Sequence, residues 1–177
     1  MSKPMLDELQ KEAAITRRVL ERVPVDRLSW RPHQRSMSLG QLSLHIATIP
    51  GNITALAQVN EFDASQANFE PPQPKSLEEI LSALDASIQT AEDYLRSIDA
   101  ETAAGSWRLT SRGREVFTIT REGLLRTIML NHWYHHRGQL SVYLRLLEVP
   151  VPVVYGRSAD ENPFAEAIDS TAAFTMQ

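Results

Sequence analysis

The chain has 177 residues, 42% of them hydrophobic and 23% charged, which suits one soluble globular domain with a single core. Its 18 Lys and Arg nearly balance 22 Asp and Glu, with no block of like charge, so nucleic acid and anionic membranes are not expected as partners. Cysteine is absent, which excludes disulfides, Cys-ligated zinc and a thiolate nucleophile from the chain itself.

No run approaches the roughly 18 to 20 apolar residues of a spanning helix. The opening MSKPMLDELQKEAA lacks the charged-then-apolar order of a signal peptide, so the expected address is the cytoplasm. Leu6, Leu9, Ala13, Val19, Leu20 and Val23 form an approximate helical stripe that predicts a first helix over 5–23, ended by Pro24. Residues 24–37, with Trp30, Pro32 and His33 among polar neighbours, read as a connecting loop, and His33 beside Arg31 and Arg35 as solvated surface. Ser38 can cap a second helix from Leu39 to about Gln58, on which Leu42, His45, Ile46, Ile49 and Ile53 share a face. Pro50 and Gly51 are expected to interrupt it and kink it about a turn beyond His45.

The polar, proline-rich stretch EFDASQANFEPPQPK (61–75) reads as a long loop. Ser76 and Glu79 form a capping box for a third helix that runs to about Ile98. WRLTSRGREVFT (107–118) alternates around SRGR and predicts a short hairpin. A fourth helix over 120–147 is marked by Leu125, Ile128, Met129, His132, His136, Leu140, Tyr143 and Leu147. The expected architecture is all-α: an antiparallel four-helix bundle over about 5–148, with the hairpin before the last helix and a tail at 149–177, in a single domain.

Three of the five histidines fall within NHWYHHRGQL (131–140). At about 100° per residue His132 and His136 lie about 40° apart in projection, near the middle of the apolar arc. His135 sits at the edge of that arc, and Trp133, Tyr134 and Arg137 project progressively outward. His45 is likewise inside the stripe of its own helix. A lone histidine such as His45 reads more often as a hydrogen-bonded core residue than as a ligand. Together, three unpaired imidazoles in one layer would cost about 1 to 3 kcal/mol each, an objection that a metal removes. An i, i+4 pair and a third histidine from a facing helix can supply three nitrogens and leave positions open.

The segments SLGQLSLHIA (38–47), NHWYHHRGQLSVYLRLL (131–147) and VPVPVVYGRSADE (149–161) resemble the DinB/YfiT-like family of metal-dependent enzymes, with motif positions matching from about Leu6 to Glu161. The resemblance implies a four-helix bundle, often dimeric, that holds a divalent ion, commonly zinc or nickel, on three histidines. Matched residue by residue, these are His45, His132 and His136. Relatives include transferases and isomerases that use low-molecular-weight thiols, alongside members without a known substrate.

A divalent ion on three neutral histidines is a Lewis acid that can activate water or a thiol at neutral pH. Because the chain has no cysteine, a thiolate would come from an external cosubstrate, which favours a thiol-dependent S-transferase acting on a small molecule. A metal-dependent hydrolase is the close competitor, although neither histidine-bearing helical segment carries the carboxylate base such sites usually place beside the metal. A third reading is a non-catalytic, stress-related bundle protein whose metal, zinc, nickel or manganese, is structural or sensed. Gln139 is expected one turn below His135 and His136, and Tyr143 as a core aromatic with a satisfied hydroxyl. Tyr155 either lines a pocket or seals the core. Trp133 and Tyr134, read as outward aromatics, and the family habit together suggest a homodimer.

Overall fold

The computed structural model describes residues 2–68 and 70–164. Four long helical stretches supply most of the fold: α1 (Ser2–Leu20), α2 (Leu39–Ala57), α3 (Leu77–Ser97) and a final rod built from α5 (Arg121–Leu124), a π-helical turn (Leu125–Asn131) and α6 (His132–Leu146). A short helix, α4 (Ala100–Ala104), follows α3. α2 packs on α3 and on α6, and α1 on α3 and α6. Their buried faces share one core that includes Leu9, Leu20, Leu42, Ile46, Leu84, Leu95, Met129 and Leu140. Among the described residues no helix is long and apolar enough to cross a membrane.

The chain is mostly helical but not all-α. β1 (Glu61–Asp63), β2 (Ser106–Ser111) and β3 (Arg114–Thr120) form a three-stranded sheet in that order, β1 parallel to β2 and β2 antiparallel to β3. The hairpin closes at Arg112 and Gly113, both with positive φ (52° and 73°), the conformation a two-residue hairpin turn demands. Strand β1 and the 3-10 turn Ala64–Gln66 occupy the start of the segment expected to be loop. Three residues gain a strand only because β2 offers them a free edge, a tertiary cause that periodicity cannot reveal. In register, Phe62 lies beside Leu109 and Leu109 beside Phe117, so one apolar row crosses all three strands.

Two side chains fasten the sheet to the C-terminal end of α2. The Trp107 indole donates to the Leu56 carbonyl at 3.0 Å. Arg121, buried, donates from Nε to the Ala57 carbonyl at 2.9 Å and from its terminal nitrogens to Ser106 O and Val59 O. The helix therefore ends on a guanidinium instead of on water, which satisfies carbonyls left over by its last turn.

At its other end α2 begins on a full capping box: Ser38 Oγ accepts from Gln41 N at 3.1 Å, and Gln41 Oε1 accepts from Ser38 N at 3.0 Å. The box expected at Ser76 is half formed. Ser76 Oγ accepts from Glu79 N, but Glu79 Oε2 accepts from Lys75 N.

Pro50 does not end α2, which runs through it. A proline lacks the N–H that would pair with the carbonyl four residues earlier. That carbonyl, Ile46 O, accepts instead from the Trp133 indole of α6 at 2.9 Å. One residue on, Gly51 N donates to Ser87 Oγ of α3 at 2.8 Å. A Cβ at Gly51 would stand 3.0 Å from Ser87 Cα, so glycine is what lets the two helices touch there. The carbonyl that the proline leaves without its N–H, and the next amide along, are thus engaged by the two neighbouring helices.

The described part of the tail, residues 149–164, packs back on the core and on α1 and α6. Val149, Val151 and Val154 pack on the core, while Asp160 accepts from Val151 N and Glu161 from Val153 N, each at 2.9 Å. Glu161 also pairs with Arg18 and Arg22 of α1, and Asp160 with Arg145 of α6. The remainder, 165–177, lies outside the described residues.

Ser87→Ala is expected to leave the buried Gly51 N–H without an acceptor and to lower unfolding free energy by about 1 to 3 kcal/mol. Urea titration checks this, and a loss below about 0.5 kcal/mol would show that the contact is not what closes the break.

Candidate metal centre

His45 projects from α2, two turns after the cap. His132 and His136 come from the first turns of α6. Their Nε2 atoms meet: His45 to His132 at 3.5 Å and His136 to His132 at 2.7 Å. One ligating nitrogen from each of the three lies within 4.8 Å of the others, so this trio could hold a metal ion. All three are half-buried.

The electrostatics keep them neutral. Burial, reinforced by the other imidazoles, pushes His45 down to about 4. Burial does the same to His136, also to about 4, against the raising effect of Gln139. His132 is lowered for the same principal reason. Gln139 Oε1 lies 2.7 Å from His136 Nδ1, and with that oxygen accepting, the ring hydrogen sits on Nδ1 and the Nε2 lone pair faces His132. His132 Nδ1 is buried beside the Ile128 carbonyl without a well-formed hydrogen bond among the described residues. Without an ion a ring N–H of one imidazole can donate to the next, but three Nε2 lone pairs this close repel unless a cation lies between them. The donor set, three neutral imidazole nitrogens with one ring already oriented by an amide, therefore fits a borderline-soft divalent ion.

Local structure explains why the pair sits where it does. The π-helical turn ends immediately before His132. A π turn inserts one residue relative to a regular helix and so rotates everything after it by about 100°. In α6 the fully buried stripe is Trp133, Arg137, Leu140 and Leu144, while His132, His136, Gln139 and Tyr143 form the adjacent flank.

The expected outward projection of Trp133 and Arg137 is therefore corrected. The regular-helix projection fails across the π turn, and α6 is covered by α1 as well as by α2. Arg137, 2% exposed, pairs with Glu12 at 2.6 Å, donates to Thr16 Oγ1 at 3.0 Å and meets the Tyr155 hydroxyl. Tyr134 is half-buried and donates to Glu8, which also takes a two-point contact from Arg126. Those contacts, Arg126 first, hold the Glu8 carboxyl below its ordinary value. Tyr155 lies over Arg137 and is exposed, so it neither lines the cavity beside the histidines nor seals the core. Tyr143 donates to Met37 O at 3.3 Å and meets Trp30 edge-on, as a core aromatic with a satisfied hydroxyl should. His135 and His33 are exposed.

On one side of the trio, His45 and His132 line a cavity of about 650 Å³. Its walls are α2, the sheet row of Phe62, Leu109 and Phe117, Leu124 and Ile128 before His132, and residues 67–72 less the undescribed 69. Thr48 and Asn52 continue the His45 face of α2 into it, and Glu70 stands in the loop wall. His136 does not line the cavity, and the Nδ1 edge of its ring meets exposed Gln139 while His135 lies against it. Sequence reasoning found the three histidines and missed the cavity. Its walls come from three segments far apart in the chain, one of them read as loop, and no local signal joins them.

The DinB family pattern matches residues 1–166, and the chain belongs to the DinB family. It is 25% identical over 150 residues to the uncharacterized protein YrdA of Bacillus subtilis, covering 85% of each chain. A crystal structure of a DinB-like protein from Bacillus cereus has a similar fold, with a TM-score of 0.65 at 23% identity over 86% of this chain and 97% of that one. Another, from Bacillus subtilis, gives a TM-score of 0.64 at 20% identity over 85% and 96%.

The depressed histidines set a pH window for the metal-free protein. An unfolded imidazole titrates near 6.5, whereas His45 and His136 stay neutral in the fold down to about 4, so the unfolded state binds more protons between those values. Their contribution is present above about pH 6.5 and is lost as pH falls through about 4. Chelated protein is expected to lose Tm over that interval, and a variant carrying His45→Gln and His136→Gln is expected to lose less; equal slopes would contradict the assignment.

Proposed function

We propose that His45, His132 and His136 hold one divalent ion, zinc or nickel before manganese, and that the protein is a metal-dependent enzyme transferring an external low-molecular-weight thiol to a small electrophile. The observation that carries this reading is the convergence of three neutral imidazoles beside a cavity, lined by His45 and His132, that is large enough for a small substrate. When bound, the ion supplies Lewis acidity sufficient to deprotonate a thiol at neutral pH.

The chain's own residues do the rest. Gln139 orients the His136 ring, and the Trp133 indole seats α6 on α2 so that His132 reaches His45. The cavity wall excludes water from the electrophile. The thiol proton leaves to solvent, the sulfur forms the new bond to the electrophilic atom, and the electron pair displaced there goes to the leaving group or across a conjugated bond. No residue of the chain becomes covalently attached.

Hydrolysis is the second reading, and Glu70 favours it. This carboxylate lies on the same cavity as His45 and His132 and could act as the base that the histidine-bearing helices lack. The antiparallel four-helix bundle is likewise part of the proposal, supported by the packing of α1, α2, α3 and α6. Homodimer formation rests on family resemblance alone, because Trp133 and Tyr134 are engaged within the chain.

Any of the three substitutions His45→Ala, His132→Ala or His136→Ala is expected to reduce bound metal, by elemental analysis of untagged protein, to a small fraction of an equivalent. His135→Ala is expected to keep it. A full equivalent tightly held by His132→Ala would sink the site.

Turnover of thiol and electrophile pairs should vanish on chelation and return with added metal, and Glu70→Gln should leave it unchanged. Ester or amide hydrolysis abolished by Glu70→Gln, without thiol transfer by the loaded wild type, would establish the second reading instead.

A further inference from the structure

We infer that the cavity beside the histidines takes an uncharged molecule with an apolar body and rejects anionic ones. The inference deepens the proposed function, and depends on it only for what meets the molecule at the histidine end.

The chemistry of the wall carries this. Aliphatic side chains of α2 and the row of Phe62, Leu109 and Phe117 make most of the surface, and no Lys or Arg among the described residues lines it. The one formally charged lining residue, Glu70, is acidic, and the chain as a whole carries a net charge of −4. A carboxylate or phosphate buried in such a space would have no cationic partner from the chain, a desolvation loss larger than an apolar body can offset. Apart from Asn68 and Glu70, both exposed in the loop wall, and His132, the polar lining residues form one strip on α2. The Thr48 hydroxyl donates to Leu44 O at 3.0 Å, which leaves its oxygen lone pairs to accept from a ligand, and Asn52 follows one turn later. The strip starts at His45, so a ligand carrying one neutral hydrogen-bonding group beside its apolar body is oriented with that group on α2 and one end toward the imidazoles. The volume is that of a small-molecule site. A charged, hydrophilic thiol would approach from the other side of the trio, where His136 meets exposed His135 and Gln139.

The test uses the full chain treated with chelator, so that neither the ion nor any thiol contributes. N-Phenyl-1-naphthylamine, an uncharged probe that fluoresces in apolar surroundings, is titrated in and then displaced by methyl 1-naphthoate or by 1-naphthoate, which share a ring and differ in charge. The expected result is a saturable fluorescence rise and displacement by the ester at no more than about one tenth of the concentration needed for the anion, a difference of about 1.4 kcal/mol. Leu109→Lys should reverse that order by placing a cation in the wall. Ala67→Trp, in the loop wall, should weaken probe binding by filling space without burdening the sheet.

No saturable rise, equal displacement by the two naphthoates, or probe binding unaffected by Ala67→Trp would each overturn the inference. Retained selectivity in a protein whose metal-loaded form transfers no thiol would remove the proposed function and leave the cavity assignment standing. Thiol transfer without the selectivity would do the reverse.

Discussion

The hydrogen bond from the Trp133 indole to the Ile46 carbonyl holds the histidine-bearing elements in register. It exists because Pro50 cannot donate to that carbonyl, which would otherwise be occupied by the helix's own ladder. A buried carbonyl without a partner is costly, and a buried indole N–H is equally so, hence each solves the other's problem. Ile46 follows His45 and Trp133 follows His132, and pinning one pair of neighbours therefore brings the adjacent imidazoles together edge-on, Nε2 to Nε2 at 3.5 Å. The proline that weakens α2 is also what gives α6 a docking point.

The same segment explains why the last helix is irregular. With Trp133 committed to α2 and Arg137 to Glu12 and Thr16 of α1, α6 must present two buried directions at once. The π turn before His132 supplies the extra rotation that places those residues inward and the histidines on the flank. Regular α-geometry from Leu125 onward would put the imidazoles at the centre of the core, with no access to the cavity. The irregularity thus sets the position of the imidazoles, since it moves their nitrogens from the packed centre to the flank beside the cavity.

The polar face between α1 and α6 has a different task. Arg137 is buried and fully engaged by Glu12, Thr16 and Tyr155, and Glu8 gathers Arg126 and Tyr134. Paired charges of this kind contribute little net stability once desolvation is counted, but a chain that failed to pair them would leave a guanidinium alone in the core. They act as a registration device for the helix and, through Tyr155, Asp160 and Glu161, for the tail that follows it. The site and this network lie on different faces of one rod, which separates its anchoring from its open end.

Sequence by itself determined the four long helical segments, the hairpin turn at SRGR and the identity of the three histidines, because each is written in local terms. Apolar spacing, a capping serine, a Gly in a positive-φ turn and an i, i+4 histidine pair all act within a few residues of themselves. Periodicity could not show that Trp133 and Arg137 turn inward, since a π turn leaves no mark in composition and shifts every later projection. Nor could it show β1, whose three residues become a strand only on meeting β2, or the cavity, whose walls are α2, the sheet and a proline-rich loop. Local propensity selects elements, whereas surfaces made between elements, and the polar groups each leaves for another to satisfy, are decided when they pack.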